Sequence, residues 1–378
     1  MVLLNHFRSL LIYSTFILPL QAGVVEFFDP NRVDTSYTLQ SNLSYFIASD
    51  PISLDGMFHD WDGEYHPKSL TNIAMQDMRF DIGSGIFDDY YVGYFYRYNV
   101  YIETGKDFTD FFYRIKNHID LDPSRRYELN LNIEGIEQSG LILSHSKMVF
   151  DNGNERIKLG GALSFTVGHE MQHGSIDGQA RVPNKKSYEA SGEISSYYTH
   201  NYLYDLDVTK ATAYGYGSDF AIEYKNRDYG LEADFIVNDL WSKMYWRDLP
   251  YSQVHIDTKN KSYDEDGYAH YSPSIKGKEL YVDFTQNIEP RYRVEVAKEL
   301  EKDRTMTVGS DYLYHALLPY VQLSQSLSNQ QNIALSYEHR FGSIGLDYSY
   351  KALSFGLATD GIKDASTFGI RANYLYQF

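Results

Sequence analysis

Tyr90-Tyr91-Val92-Gly93-Tyr94-Phe95-Tyr96-Arg97-Tyr98-Asn99-Val100-Tyr101-Ile102 decides the fold of this chain. Every second residue, Tyr90, Val92, Tyr94, Tyr96, Tyr98, Val100 and Ile102, falls on one face, while Arg97, Asn99 and Glu103 fall on the other. A period of two belongs to a strand, whose successive side chains point to opposite faces; a helix repeats near 3.6. The same rhythm returns at Tyr127, Leu129, Leu131, Ile133 against Glu128, Asn130, Asn132, Glu134, and at Leu231, Ala233, Phe235, Val237 against Glu232, Asp234, Asn238. It recurs at Leu280, Val282, Phe284 against Tyr281, Asp283, Thr285, and at Ile333, Leu335, Tyr337, Phe341 against Ser336, Glu338, Arg340. Most of the chain therefore reads as antiparallel strand.

The connections between these runs are unequal. Polar segments at 49–74, 174–188 and 247–277 are long, whereas the one at 340–343 is only a few residues, as in a barrel with short turns at one rim and long loops at the other. One stretch departs from the rhythm: in Asp107 to Ile119, Phe108, Phe111, Phe112, Ile115 and Ile119 follow helical spacing, which predicts a short amphipathic helix closed by Pro123. Ser343 to Asp360 reads as one long strand or two short ones. The expected fold is all-β: a transmembrane antiparallel up-and-down barrel of about 12–16 strands, even in number.

The N-terminus fits such a barrel. His6 and Arg8, an apolar run from Leu10 to Leu20, and Ala22-Gly23 form the pattern of a cleavable export signal, and the run is shorter than a membrane-spanning helix requires. The expected organisation is a signal peptide at 1–22 and a single barrel domain at 23–378. Composition narrows the functions. With 34 basic and 51 acidic residues the net charge is −17, which lacks the basic footprint of a nucleic-acid binder. Zero cysteines exclude disulfides, thiolate metal sites and cysteine nucleophiles, and 36 Tyr with 21 Phe exclude a disordered chain.

At the other end, Phe368, Ile370, Ala372, Tyr374, Tyr376 and Phe378 lie on one face, with Thr367, Gly369, Arg371, Asn373 and Gln377 opposite. A soluble domain usually ends in a polar, fraying tail. This terminal strand resembles that of Gram-negative outer-membrane β-barrel proteins. The resemblance implies that Phe378, Tyr376, Tyr374, Ala372 and Ile370 form the signal read by the barrel assembly machinery. It also implies outer-membrane lipid and lipopolysaccharide as surroundings. Tyrosine abundance agrees with aromatic girdles at both membrane interfaces.

One motif carries chemistry. His169-Glu170-Met171-Gln172-His173 is an HExxH sequence, in which two imidazoles one helical turn apart bind zinc and the glutamate activates a water. Glu193 follows at a spacing that resembles thermolysin-like metallopeptidases; by position His169, His173 and Glu193 would be ligands and Glu170 the base. The surroundings read otherwise, since Leu159 to Val167 alternates as a strand, and so does Ser191 to Tyr204. In a strand the two imidazoles stand roughly 13 Å apart, too far to share an ion bound at about 2.0–2.1 Å. The expectation is that His169 and His173 share the face of Leu163, Phe165 and Val167, that Glu170 points away, and that no metal or other cofactor is held. The loop segments His59 to His66 and Asp264 to Gly267 read as solvated surface, with sugar contact or divalent-ion bridging to lipopolysaccharide as alternatives; the second lacks the later glutamate of an EF-hand loop.

Three functions remain in view. The first is a porin-like passive channel for small solutes or ions, needing no catalytic residue and favouring cations. The second is a non-conducting barrel whose surface loops serve adhesion or structure, and the third is an outer-membrane zinc hydrolase.

Overall fold

The computed structural model describes residues 23–31, 38–87, 89–184, 187–200, 208, 211–258, 261–263, 269–271, 275–301, 303–328 and 330–377. The chain enters through β1 (Thr38–Ser49), β2 (Thr71–Phe87) and β3 (Tyr90–Gly105), with helix α1 (Leu54–Phe58) between the first two and helix α2 (Lys106–Lys116) after the third. Two very long strands follow, β4 (Arg126–Asp151) and β5 (Glu155–Asn184). Next come β6 (Ser187–Tyr198), β7 (Thr212–Asn226), β8 (Leu231–Asn238) and β9 (Ser242–Asp257), then a small separate ribbon of β10 (Lys261–Tyr263) and β11 (Ala269–Tyr271). The chain completes the barrel with β12 (Ile275–Ile288), β13 (Arg291–Glu301), β14 (Arg304–Leu313), β15 (Ala316–Ser328), β16 (Gln331–Glu338), β17 (Ile344–Tyr350), β18 (Leu353–Thr359) and β19 (Thr367–Gln377).

Seventeen of these segments make one antiparallel sheet, closed by β1 pairing with β19 from Thr38↔Gln377 to Ala48↔Thr367. Closure removes the exposed edges that an open sheet could not leave in a membrane. Three pairs of segments lie end to end: β6 and β7 share one edge of β5, β8 and β9 continue each other beside β7, and β12 and β13 run along β9 and β8. The described residues thus trace fourteen strands around the circumference. Glu289-Pro290 breaks the β12–β13 line, where proline has no N–H to donate to the ladder. Among the described residues no helix is long and apolar enough to cross a membrane; the crossing is made by strands.

The two rims differ. Connections at the rim holding Thr38 and Gln377 are two to four residues long, after β2, β4, β7, β13, β15 and β17. Asp89, Asp303 and Lys351 in these turns have positive φ, a conformation aspartate tolerates better than most residues. Short turns mark the periplasmic rim of an outer-membrane barrel. The opposite rim carries α1, α2 and the β10–β11 ribbon.

Exposed apolar side chains band the outside of the barrel, among them Leu141, Leu163, Phe165, Leu335, Leu346 and Phe355, while their sequence neighbours turn inward and are buried. At about 25 cal/mol per Å² of apolar surface, such a band is stable only against lipid. The helix begins one residue earlier than the spacing indicates. Asp107 in its first turn and Arg114 and Lys116 in its last complement its dipole, and Phe111 packs against Tyr127, Ala180 and Val182. Ser343 to Asp360 is two short strands joined by a two-residue turn. Two expectations about loops need correction. Residues 174–184 are strand, the outer third of β5, and residues 247–257 belong to β9. The first of these looked polar because Gly174, Gly178 and Ala180 occupy positions where lipid-facing strands carry large apolar groups.

Candidate functional site: the lumen and its N-terminal strap

Inward-facing residues on β2, β3, β13 and β14 are charged and almost wholly buried. Asp77, Arg79, Asp81, Arg97, Arg291, Arg293 and Asp311 are each no more than 3% exposed. The charges are paired: Arg293 Nε and Nη2 each donate to Asp311 at 2.7 Å, and Arg79 holds Asp81 through Nε and Nη2. Arg97 donates to both oxygens of Asp239, and Arg371 to both of Asp347. Asp77 accepts from Asn99 at 2.6 Å and lies 3.3 Å from Arg291. The register sets Arg79 directly opposite Arg97, a like-charged pair that stands because each has its own carboxylate. The gap left beside these two arginines has a volume of 10 Å³, room for about one water.

What fills the lumen is the chain's own N-terminal strap, residues 23–31. Val25 and Phe27 are 1% exposed, and Glu26, Phe28 and Asn31 are also buried. Polar barrel groups grip its backbone. Arg293 Nη2 donates to Val25 O and Arg291 Nη2 to Glu26 O, both at 2.8 Å; Lys158 Nζ donates to Asn31 O at 2.7 Å; Arg371 Nη1 donates to Gly23 O. Asn238 uses its amide as a strand neighbour would, accepting from Phe28 N at 2.9 Å and donating to Phe28 O at 2.7 Å. The Phe27 ring lies 4.5 and 4.8 Å from the guanidinium carbons of Arg293 and Arg291, a geometry that attracts cation to ring face. Gly160 on β5 is glycine because a Cβ there would come within 2.6 Å of Asn31 Oδ1 and 2.8 Å of Pro30.

Burying Val25, Phe27 and Phe28 contributes about 1.5–3 kcal/mol each. Fixing the backbone of the nine strap residues costs about 1–2 kcal/mol apiece. Apolar burial therefore falls short of the backbone cost, and the polar clamps decide whether the strap stays.

The HExxH residues lie elsewhere, on β5. Gln138 pairs with Gly168 and Glu137 with Glu170, leaving His169 as the extra residue of a β-bulge. This bulge corrects the expected faces. Past it the even positions take the face of Phe165 and Val167, so Glu170 lies on that outward face and His173 turns inward with Met171. His169 Nε2 is 2.8 Å from Ser139 Oγ, and His173 Nδ1 is 2.6 Å from Glu134. Glu193 pairs across strands with Asp177 and His255, and Tyr197, four residues along, is the residue opposite His173. The three supposed ligands are not brought together. Among the described residues the one carboxylate group close enough to share an ion is Glu223, Glu232 and Asp234, which includes none of them.

Glu193 instead lines an open vestibule of 620 Å³ on the inward face above the strap, with Arg126, Glu128, Asp177, Gln179 and His255. The segment His59 to His66 packs against α2, Trp61 on Phe112 and Tyr65 on Tyr113, with His59 and His66 exposed beside Asp55 and Glu64. Asp264 to Gly267, Phe378 and residues 1–22 lie outside the described residues. Ile370, Ala372, Tyr374 and Tyr376 share one face of β19, and the last two rings stack with centroids 6.5 Å apart. The strap and its arginine clamps were missed from sequence; the one available signal was Arg291-Tyr292-Arg293, two cations on the same face of a strand inside a membrane barrel.

No protein-family profile matches the chain, and no curated protein matches it. Solved structures of outer-membrane β-barrels do resemble it. A TodX deletion mutant described as a monoaromatic hydrocarbon channel shares 8% identity at a TM-score of 0.47, covering 93% of each chain. The P. putida toluene transporter TodX shares 8% at a TM-score of 0.41, over 93% of this chain and 92% of that one. The translocator domain of the autotransporter NalP from Neisseria meningitidis shares 9% at 0.30, over 92% and 91%.

Proposed function

We propose that this chain is an outer-membrane channel for small solutes whose passage is closed at rest by its own N-terminal strap. The observation that carries this reading is the grip of Arg291 and Arg293 on the carbonyls of Glu26 and Val25 in the middle of the lumen. A permanently open porin has no use for a buried arginine pair facing a strap rather than water. The strap has the marks of a displaceable part: no strand pairing of its own, three apolar anchors and polar clamps of one or two hydrogen bonds each. Below it the short-turn rim leads to the periplasm; above it the vestibule of Arg126, Asp177 and Glu193 receives solute from outside. The net charge of −17 favours cations over anions in a lumen once open. Cleavage after Ala22 would leave Gly23 as the first residue, already in contact with Arg371.

Single-channel recording in planar bilayers tests the reading. The full chain is expected to be closed with brief openings, and a variant lacking residues 23–31 to conduct steadily; heat-modifiable gel migration checks that both are folded. Steady conductance by the full chain would return the reading to a passive porin. A folded, non-conducting deletion variant would favour the alternative of a closed barrel acting through its surface loops, which the filled lumen also supports.

A further inference from the structure

A second concavity lies on the opposite face of the wall, outside the lumen. Its 360 Å³ falls at the lower end of the range for small-molecule pockets, roughly 300–1,000 Å³. The strand register explains why it is hollow. Ile102, Ile133, Gly174 and Ser196 lie in one cross-strand row, and the row beside it runs through Val100, Gly135 and Gln172. Small residues at Gly135, Gly174 and Ser196 leave space where neighbouring rows carry large side chains. On one side of the hollow stand Leu131, Ile133, Ile176 and Ile194; on the other stand Glu137 and Glu170, directly opposite each other across β4 and β5.

The polar groups around this apolar hollow lack donors. Tyr96 Oη donates to Glu137 Oε1 at 2.9 Å, but among the described residues neither Glu137 nor Glu170 has a cationic partner. Gln172 donates from Nε2 to Ser196 Oγ at 2.9 Å, while its Oε1 is buried and accepts nothing. Two carboxylates and an unmatched amide oxygen at the edge of a greasy pocket are unfavourable unless something brings hydrogen-bond donors and positive charge to them. Position adds a further constraint. The exposed apolar band on these two strands ends at Leu141 and Val167, with Ser139 and His169 next and then the glutamates. The pocket therefore opens just beyond the lipid-facing band, on the side away from the short turns.

We propose that this pocket binds a hydrophobic amine, its ammonium held between Glu137 and Glu170 and its apolar body against Leu131, Ile133, Ile176 and Ile194. An anionic amphiphile is repelled by the carboxylate pair, and a neutral one leaves it unpaired. The site faces away from the strap, so the proposal stands independently of whether the lumen conducts.

The test is equilibrium binding of radiolabelled decylammonium to the full chain in lipid nanodiscs, with empty nanodiscs subtracted and folding checked by heat-modifiable migration. The expected result is one saturable site per barrel, weakened about tenfold or more in Glu137→Gln/Glu170→Gln and also in Gly135→Leu, which fills the hollow while keeping both carboxylates. Glu170→Gln alone, at an exposed position, provides a variant with little risk to folding and should weaken binding partway. Decanoate should show no saturable binding. Equal binding by wild type and the double variant, or decanoate or decanol bound as tightly as decylammonium, would overturn the proposal. So would a variant-sensitive site for Mg2+ on a barrel that binds no amine, which would make the glutamates a divalent-ion site.

Discussion

The wall from β14 to β19 and the wall from β4 to β9 use the same alternation of side chains and end differently. On the short side, β16, β17 and β18 are 8, 7 and 7 residues long, and exposed and buried positions alternate through β17 without a break. On the tall side, β4 and β5 are 26 and 30 residues long, and their register shifts at Glu137/Gln138 and at Met148/Phe150. A strand just long enough to cross a membrane has one job for each face, lipid outside and packed polar groups inside. A strand that continues past the membrane must reassign its outer face, and the bulge at His169 sits where that change occurs. Beyond it, the outward face holds helix α2 and the Glu137–Glu170 pocket instead of lipid.

The largest expected effect tests the inner faces of the two walls against each other. Arg293→Ala strands Asp311, which is 0% exposed, and should destabilise the barrel by about 3–5 kcal/mol. Arg156→Ala on β5 removes a more accessible pair with Glu223, whose side chains are 24% and 14% exposed, and should cost about 1 kcal/mol or less. Urea unfolding of the two variants in lipid gives the difference directly; similar losses would mean that the tall wall is packed as tightly as the short one.

Next in size is the bulge. Inserting one alanine between Glu137 and Gln138 gives His169 a partner, removes the bulge and so turns every later side chain of β5 to the other face. The expected outcome is a barrel that still inserts but whose outer extension exchanges its amide hydrogens much faster, on the order of tenfold, from Met171 to Arg181. Unchanged protection there would show that the neighbouring strands, and not the bulge, set the faces.

The smallest effect concerns the join between the two walls. His315, in the outer turn between β14 and β15, lies 3.2 Å from Glu103 on β3 and 3.6 Å from Glu289 at the β12–β13 break. The hydrogen bond to Glu103, with the charge of Glu289 beside it, raises the imidazole above its ordinary value of 6.5. Because the folded value is the higher one, the stabilisation is complete below about pH 6.5 and is lost as pH rises through the folded value. The ring is largely exposed, so the contribution is that of a surface pair, below about 1 kcal/mol. The difference in thermal midpoint between wild type and His315→Gln should be larger at pH 5.5 than at pH 8.5, and a difference independent of pH would remove the ion pair from the account.

Legibility in the sequence follows the same division. The short wall and the closing strand from Phe368 could be read because lipid demands large apolar groups at every second position. The outer third of β5 could not, since Gly174 and Ser175 line the outer pocket and Gly178 and Gln179 the vestibule, where small or polar residues serve. His169 looked continuous with Phe165 because a single extra residue leaves no trace in a pattern of period two. Helix α2 announced itself by a period that no strand shares. The strap has no period at all; its meaning lies in partners more than two hundred residues away, such as Asn238, Arg291 and Arg293.

Those partners follow one another along the strap in chain order. Lys158, three residues in from the start of β5 at the short-turn rim, holds Asn31; toward the N-terminus follow Asn238 at Phe28, Arg291 at Glu26, Arg293 at Val25 and Arg371 at Gly23. Thr38, where β1 begins, lies at the same rim as Gln377, so the strap can be drawn out without opening the seam between β1 and β19. Traction applied from the periplasmic side would strain these clamps in turn, beginning with Lys158, and the peak force would be that of breaking one clamp at a time.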